Sequence, residues 1–189
     1  EEWMQTQFIA RFSKEYLEEK GEEWTDNPDL DGDGFTNEFE IGFSFTDPYF
    51  CNERYAVLAY SGDLPAIWKD QIRAVQDFLV SDLISSDPNL WAIEGKPYGR
   101  FREENVFGLY ENTTYQSFRE LIGNLADRLN EDDMVFVLFA GHGEKDHITF
   151  SDGDVSYEEI GEELARVDAN VLTCIVDACY SGSSIAYLG

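Results

Sequence analysis

Cys179 follows an apolar run, "VLTCIVDA" (171–178), and precedes a Ser-Gly turn, so a thiol emerges from a strand-like segment straight into a tight bend. Cysteine reacts as its thiolate, and a nucleophilic thiol needs a basic partner. His142 fits that need: it ends another apolar run, "MVFVLFA" (134–140), and stands between Gly141 and Gly143. Flanking glycines let the backbone approach a substrate closely. The backbone amides of Gly143 and Cys179 would hold an oxyanion, an interaction typically worth roughly 3–4 kcal/mol. Alone, Gly-His-Gly reads as a plain glycine-rich loop, and Asp-Ala-Cys as a small core residue at a strand end. Each ending a neighbouring strand, the two together point to acyl transfer through a thiol.

A second constellation is acidic. "DLDGDGFTNEFE" (29–40) follows D-x-D-x-D-G-x5-E without a gap. Calcium takes six to eight oxygens, and carboxylates at alternate loop positions can converge on it. Asp29, Asp31 and Asp33 would supply these, Phe35 a backbone carbonyl, Asn37 a direct or water-borne contact, and Glu40 a bidentate closure, with Gly34 at the sharp turn. The competing reading is a chance cluster in a very acidic chain, but five acids in twelve residues with no base would repel one another without a cation.

The chain has 189 residues, enough for one ordinary domain plus a smaller attachment. Its formal charge of −26 disfavours binding to phosphate backbones, so no nucleic-acid partner is expected. No apolar run reaches about 18 residues, so no membrane span is expected. Cys51, Cys174 and Cys179 cannot pair fully as disulfides and show no CxxC metal spacing. Cys174 reads as an inert core residue, and His147 as an exposed loop residue. The Asp152/Asp154 pair reads as a solvated turn rather than a second cation site.

These residues need elements to position them. A helix is expected in the first twenty residues, with the calcium loop completing a region over 1–50. Strands are expected at 55–61, 105–110, 134–140 and 171–178, and helices at 64–85, 115–130 and about 156–167, the last capped by Ser156 with Glu159 three residues on. "HITFSDGDVS" carries an Asp-Gly hairpin signal. Alternating strands and helices imply right-handed crossovers and a parallel sheet, whose sites gather at the carboxyl ends of the strands.

The strand into "GHG" followed by a strand into "DACYSG" resembles the His and Cys motifs of the caspase-like cysteine peptidases, a group that includes caspases, metacaspases and legumains. "ITFSDGDVSYEEIGEEL" and "ACYSGSS" are similar to the legumain-like branch. The acidic loop resembles those of EF-hands and, with "GFSFTDP" after it, of thrombospondin-type calcium repeats, a resemblance that implies Asp47 as a further ligand. The resemblance covers roughly 55–184. It implies an α/β fold, a caspase-haemoglobinase-like parallel sheet flanked by helices, and a cysteine endopeptidase with Cys179 as nucleophile and His142 as base and proton donor. Legumains assist the His with an Asn where this chain has Ile67, so a two-residue Cys–His system is expected.

"DAC" is closer to metacaspases, in which the carboxylate two residues before the Cys helps bind a basic P1 side chain; Asp177 therefore implies Arg or Lys at P1. Lys69 lies near the position of an Arg with which legumains bind Asn, and its plainer reading is a solvated helix face. Family members continue past the nucleophile with two more strands. The expectation is thus a four-stranded piece over 55–189, either C-terminally truncated or the large subunit of a cleaved enzyme whose C-terminal strands come from a small-subunit chain of the same precursor. Legumain-like cleavage after Asn or Asp, transpeptidation by the same residues, and a non-catalytic, calcium-stabilised interaction module are the alternatives. A calcium site of moderate affinity would place the protein outside the cell or at its envelope.

Overall fold

The structure is a computed structural model describing residues 53–61, 65–80, 101–110 and 113–188, with Ser61 and Ala66 described by backbone alone. The chain divides into two compact units, Glu1–Glu53 with Asp82–Arg100, and Arg54–Ser81 with Phe101–Gly189. The first helix, the loop from Asp29 to Glu40, Asp47 and Cys51 lie outside the described residues. The second unit carries both the histidine and the cysteine motif.

Four apolar runs become parallel strands: β1 (Arg54–Ser61), β2 (Val106–Leu109), β3 (Met134–Gly141) and β7 (Val171–Asp177). Their order in the sheet is β2-β1-β3-β7. β1 and β3 are central and almost wholly buried, which explains why their sequences are continuously apolar rather than alternating. A second sheet of three short antiparallel strands, β4 (Gly143–Glu144), β5 (His147–Phe150) and β6 (Gly153–Ser156), grows from the end of β3. The β5–β6 pair is the hairpin that the Asp-Gly signal predicts; β4 carries no pattern of its own, being only two residues long.

The main sheet is covered on both faces. Helix α1 (Ala66–Leu79) lays Ile72 and Leu79 on Ala56, Leu58, Tyr60, Leu138 and Ala140. Helices α2 (Tyr115–Ala126) and α3 (Tyr157–Leu164) cover the opposite face, where Phe118, Phe139, Phe150 and Tyr157 are fully buried. Phe118 and Phe139 meet with ring centroids 5.0 Å apart and tilted planes, a favoured aromatic arrangement.

The helices are shorter than the periodicity predicts, α1 and α2 for local reasons. Pro65 pre-sets the entry to α1, and at its other end the Leu79 carbonyl is taken by the Phe101 N–H at 3.0 Å. α2 tightens after Ala126, and the chain is then bent by Asp133, whose buried carboxylate accepts the Asn130 N–H at 2.9 Å. α3 begins as its sequence implies: Ser156 and Glu159 form a reciprocal capping box.

Candidate active site

Parallel register fixes where the two motifs emerge. Tyr60, Ala140 and Asp177 lie in one row across β1, β3 and β7. His142 stands two residues beyond Ala140, and Cys179 two residues beyond Asp177, so imidazole and thiol leave the same carboxyl edge from neighbouring strands. Both residues are exposed. Cys174, by contrast, packs against the core on the α2/α3 face, where burial pushes its thiol up to about 11. A thiol held up in this way carries little thiolate at neutral pH, in keeping with its place within the strand.

The loops after β3 and β7 touch. A Cβ added at Gly143 would lie 2.5 Å from the Cys179 carbonyl oxygen and 3.0 Å from the Ala178 methyl. Only a glycine lets these backbones come so close. Gly143 pairs with Ile148 across β4 and β5, and the flanking bond from Thr149 N–H to the His142 carbonyl (2.9 Å) makes this a non-hydrogen-bonded pair. The Gly143 N–H therefore lies outside the β4–β5 ladder and is not consumed by it.

The thiol-bearing turn is tightly wound. Tyr180, the residue after the thiol, is left-handed at φ 58° and 69 % exposed. Ser181 N–H donates to the Ala178 carbonyl (3.3 Å), and one 3-10 turn (Ser181–Ser184) leads into the short helix α4 (Ile185–Leu188). Gly161 of α3 makes room for that helix, since a Cβ there would meet the Tyr187 carbonyl at 2.8 Å. No pattern in the sequence marks Tyr180 as left-handed; a non-glycine residue in that region is uncommon and is held by its surroundings.

The predicted specificity residues share a face. Side chains paired across parallel strands project together, so Asp177 points to the α1 side with Tyr60 and Ala140. Lys69, on α1, sets its ammonium over the Tyr60 ring, 5.8 Å from the centroid. Both candidates thus lie on the α1 side of the sheet's carboxyl edge. Ile67, at the start of α1, is apolar and 64 % exposed and has no group with which to orient an imidazole.

His147 is exposed, but in strand β5 rather than a loop, with Nδ1 3.0 Å from the Lys145 carbonyl. Asp152 accepts the Tyr115 N–H at 2.8 Å, and Asp154 accepts the Thr149 hydroxyl at 2.8 Å, so both carboxylates serve the fold. Among the described residues, no group of three or more His, Cys, Asp or Glu could hold a metal ion, and no helix is long and apolar enough to cross a membrane.

A four-stranded parallel sheet between helices, with a histidine loop and a cysteine turn in contact at its carboxyl edge, defines a cysteine-type endopeptidase of caspase-like fold. Residues 123–189 match the Peptidase C13 family, a family of cysteine-type endopeptidases of legumain type. That segment holds β3, the hairpin, α3, β7 and both motifs. No curated protein matches the chain.

Proposed function

We propose that the protein hydrolyses peptide bonds through a Cys179–His142 pair and prefers a basic P1 side chain. The observation that carries the pair is the closeness of Gly143 to the Cys179 backbone, which puts the histidine loop against the thiol turn. His142 takes the Cys179 proton as the sulfur attacks the substrate carbonyl. The oxyanion that forms is held by the N–H groups of Gly143 and Cys179. Collapse to the thioester expels the amine, which receives the proton from His142. Water, deprotonated by His142, then attacks the thioester and returns the thiol. An added amine in place of water would give transpeptidation by the same groups.

The basic preference rests on Asp177, an exposed carboxylate two residues before the nucleophile on the α1 side. A second reading, cleavage after Asn or Asp, is favoured by the match to a family of asparaginyl endopeptidase type and by Lys69 on the same side of the sheet. The loop from Asp29 to Glu40, with Asp47, is read as a structural calcium site on its sequence alone. Calcium of that kind would suit an extracellular or envelope location. On its outer side β7 pairs with no other described strand and exposes Val171, Leu172 and Ile175. An apolar edge of this kind supports a further strand-bearing segment, such as a small-subunit chain from the same precursor, pairing there.

Fluorogenic peptides differing only at P1 (Arg, Lys, Asn, Asp, Ala), assayed with calcium and with chelator, test this reading. Cleavage after Arg or Lys that vanishes in Cys179→Ala is the expected result. Cleavage after Asn assigns P1 binding to the Lys69 side instead, and turnover that survives Cys179→Ala removes the catalytic pair.

A further inference from the structure

One hydroxyl joins the thiol turn to the hairpin that carries Gly143. Ser183 Oγ donates to the Tyr180 carbonyl at 3.0 Å and accepts the Asp146 N–H at 2.9 Å. The Ser183 N–H donates to the same Tyr180 carbonyl at 3.0 Å. Asp146, in the turn between β4 and β5, is gripped from its other side: its carbonyl accepts the Tyr157 N–H at 3.0 Å. Tyr157 is fully buried at the start of α3. The chain of bonds therefore runs from the core, through the hairpin turn, to the residue after the thiol.

Both turns joined in this way are left-handed at residues other than glycine, Tyr180 at φ 58° and Asp146 at φ 66°. Such conformations persist only where neighbours over-determine them. A serine that merely finished its own 3-10 turn would need only the Tyr180 carbonyl. The bond to Asp146 spans 37 residues of sequence and reaches the other catalytic loop.

We propose that Ser183 is a positioning residue for acyl transfer, its hydroxyl locking the Cys179–Tyr180 turn onto the β4–β5 hairpin and so fixing the thiol against the His142–Gly143 segment. The inference rests on the reading of Cys179 and His142 as the catalytic pair. Ser183 touches no reacting atom; it acts through the turn it holds. Misplacing a nucleophile by about 1 Å can cost on the order of a hundred-fold in rate.

The test uses the full chain, the peptide that the wild type cleaves best, and rates normalised to titrated active sites. Ser183→Ala is expected to lower kcat about ten-fold or more with KM within about three-fold, and to slow alkylation of Cys179 by iodoacetamide in step. Ser183→Thr, which keeps the hydroxyl, should recover most of the rate. Asp146→Asn, which keeps the N–H and tolerates the left-handed turn, should stay within about two-fold of wild type.

A Ser183→Ala enzyme with wild-type kcat overturns the inference, as does a Thr variant no better than Ala. Hydrogen exchange on the wild-type chain bypasses any folding defect of the variants. The Asp146 amide should be protected at least about ten-fold relative to a free peptide amide, and no protection overturns the proposal. Failure of the catalytic pair is told apart by Cys179→Ala: turnover surviving that change removes the pair, whereas a dead Cys179→Ala beside a fully active Ser183→Ala removes only the role of Ser183.

Discussion

The two sides of β7 differ in what covers them. On the α2/α3 side, Cys174 and Val176 pack against a core of fully buried aromatics. On the α1 side and along the outer edge, Ile175 is 45 % exposed and Asp177 faces solvent. One strand of alternating side chains thus gives a core-packed thiol and, after its last residue, an open one at the turn. The difference shows that chemistry at this edge depends on where helical cover stops, not on the local residue types, since the sulfur is the same at both positions.

The sharpest way to break this comparison is to exchange the roles of the cysteines. Cys179→Ala is expected to lower kcat/KM by about a thousand-fold or more, whereas Cys174→Ala should leave kcat within about two-fold. Peptide hydrolysis and thiol titration on both variants measure this. Rates that fall equally would mean that burial does not separate the two thiols.

The same contrast holds for stability. Phe139→Ala on the covered side should destabilise by about 3–5 kcal/mol. Ile175→Thr on the open side should stay within about 0.5 kcal/mol. Denaturant unfolding of both variants gives the numbers, and a large loss at Ile175 would reveal that the edge is covered in solution. Between these extremes lies Gly143→Ala. Its methyl would meet the Cys179 carbonyl at 2.5 Å, so the thiol turn must move. A fall in kcat of about ten- to a hundred-fold, with little change in melting temperature, is expected.

The smallest effect concerns acid. Burial works to raise the Glu163 pKa, but hydrogen bonds from Arg166 (2.7 Å) and Arg119 (2.6 Å) outweigh it and hold the group below its ordinary value of 4.5. A depressed folded pKa means that the stabilisation is present above that ordinary value and is lost as pH falls through the folded one. Thermal melts should therefore decline below about pH 4.5, and Glu163→Gln should flatten that decline.

Much of this arrangement was legible from particular residues. The four apolar runs read as strands because a sheet covered on both faces leaves no polar alternation, and Ser156 with Glu159 marked the start of α3 because a capping box is local chemistry. Helix ends were less legible. The Phe101 N–H on the Leu79 carbonyl and the Asn130–Asp133 bend mark the ends of α1 and α2 through bonds that periodicity does not see. β4 was invisible, since two residues carry no period and its pairing is imposed by β5.

By itself, then, the sequence determined the pair of motifs, the parallel strands that end in them and the placing of one cysteine within a strand and one at a turn, because residue type and hydrophobic period are properties of short segments. Tertiary structure alone decided that Gly143 lies against Cys179, that Asp177 and Lys69 fall on one side of the sheet, and that Ser183 ties the thiol turn to Asp146. Those facts join residues from separate elements, and only strand register and packing can bring them within bonding distance.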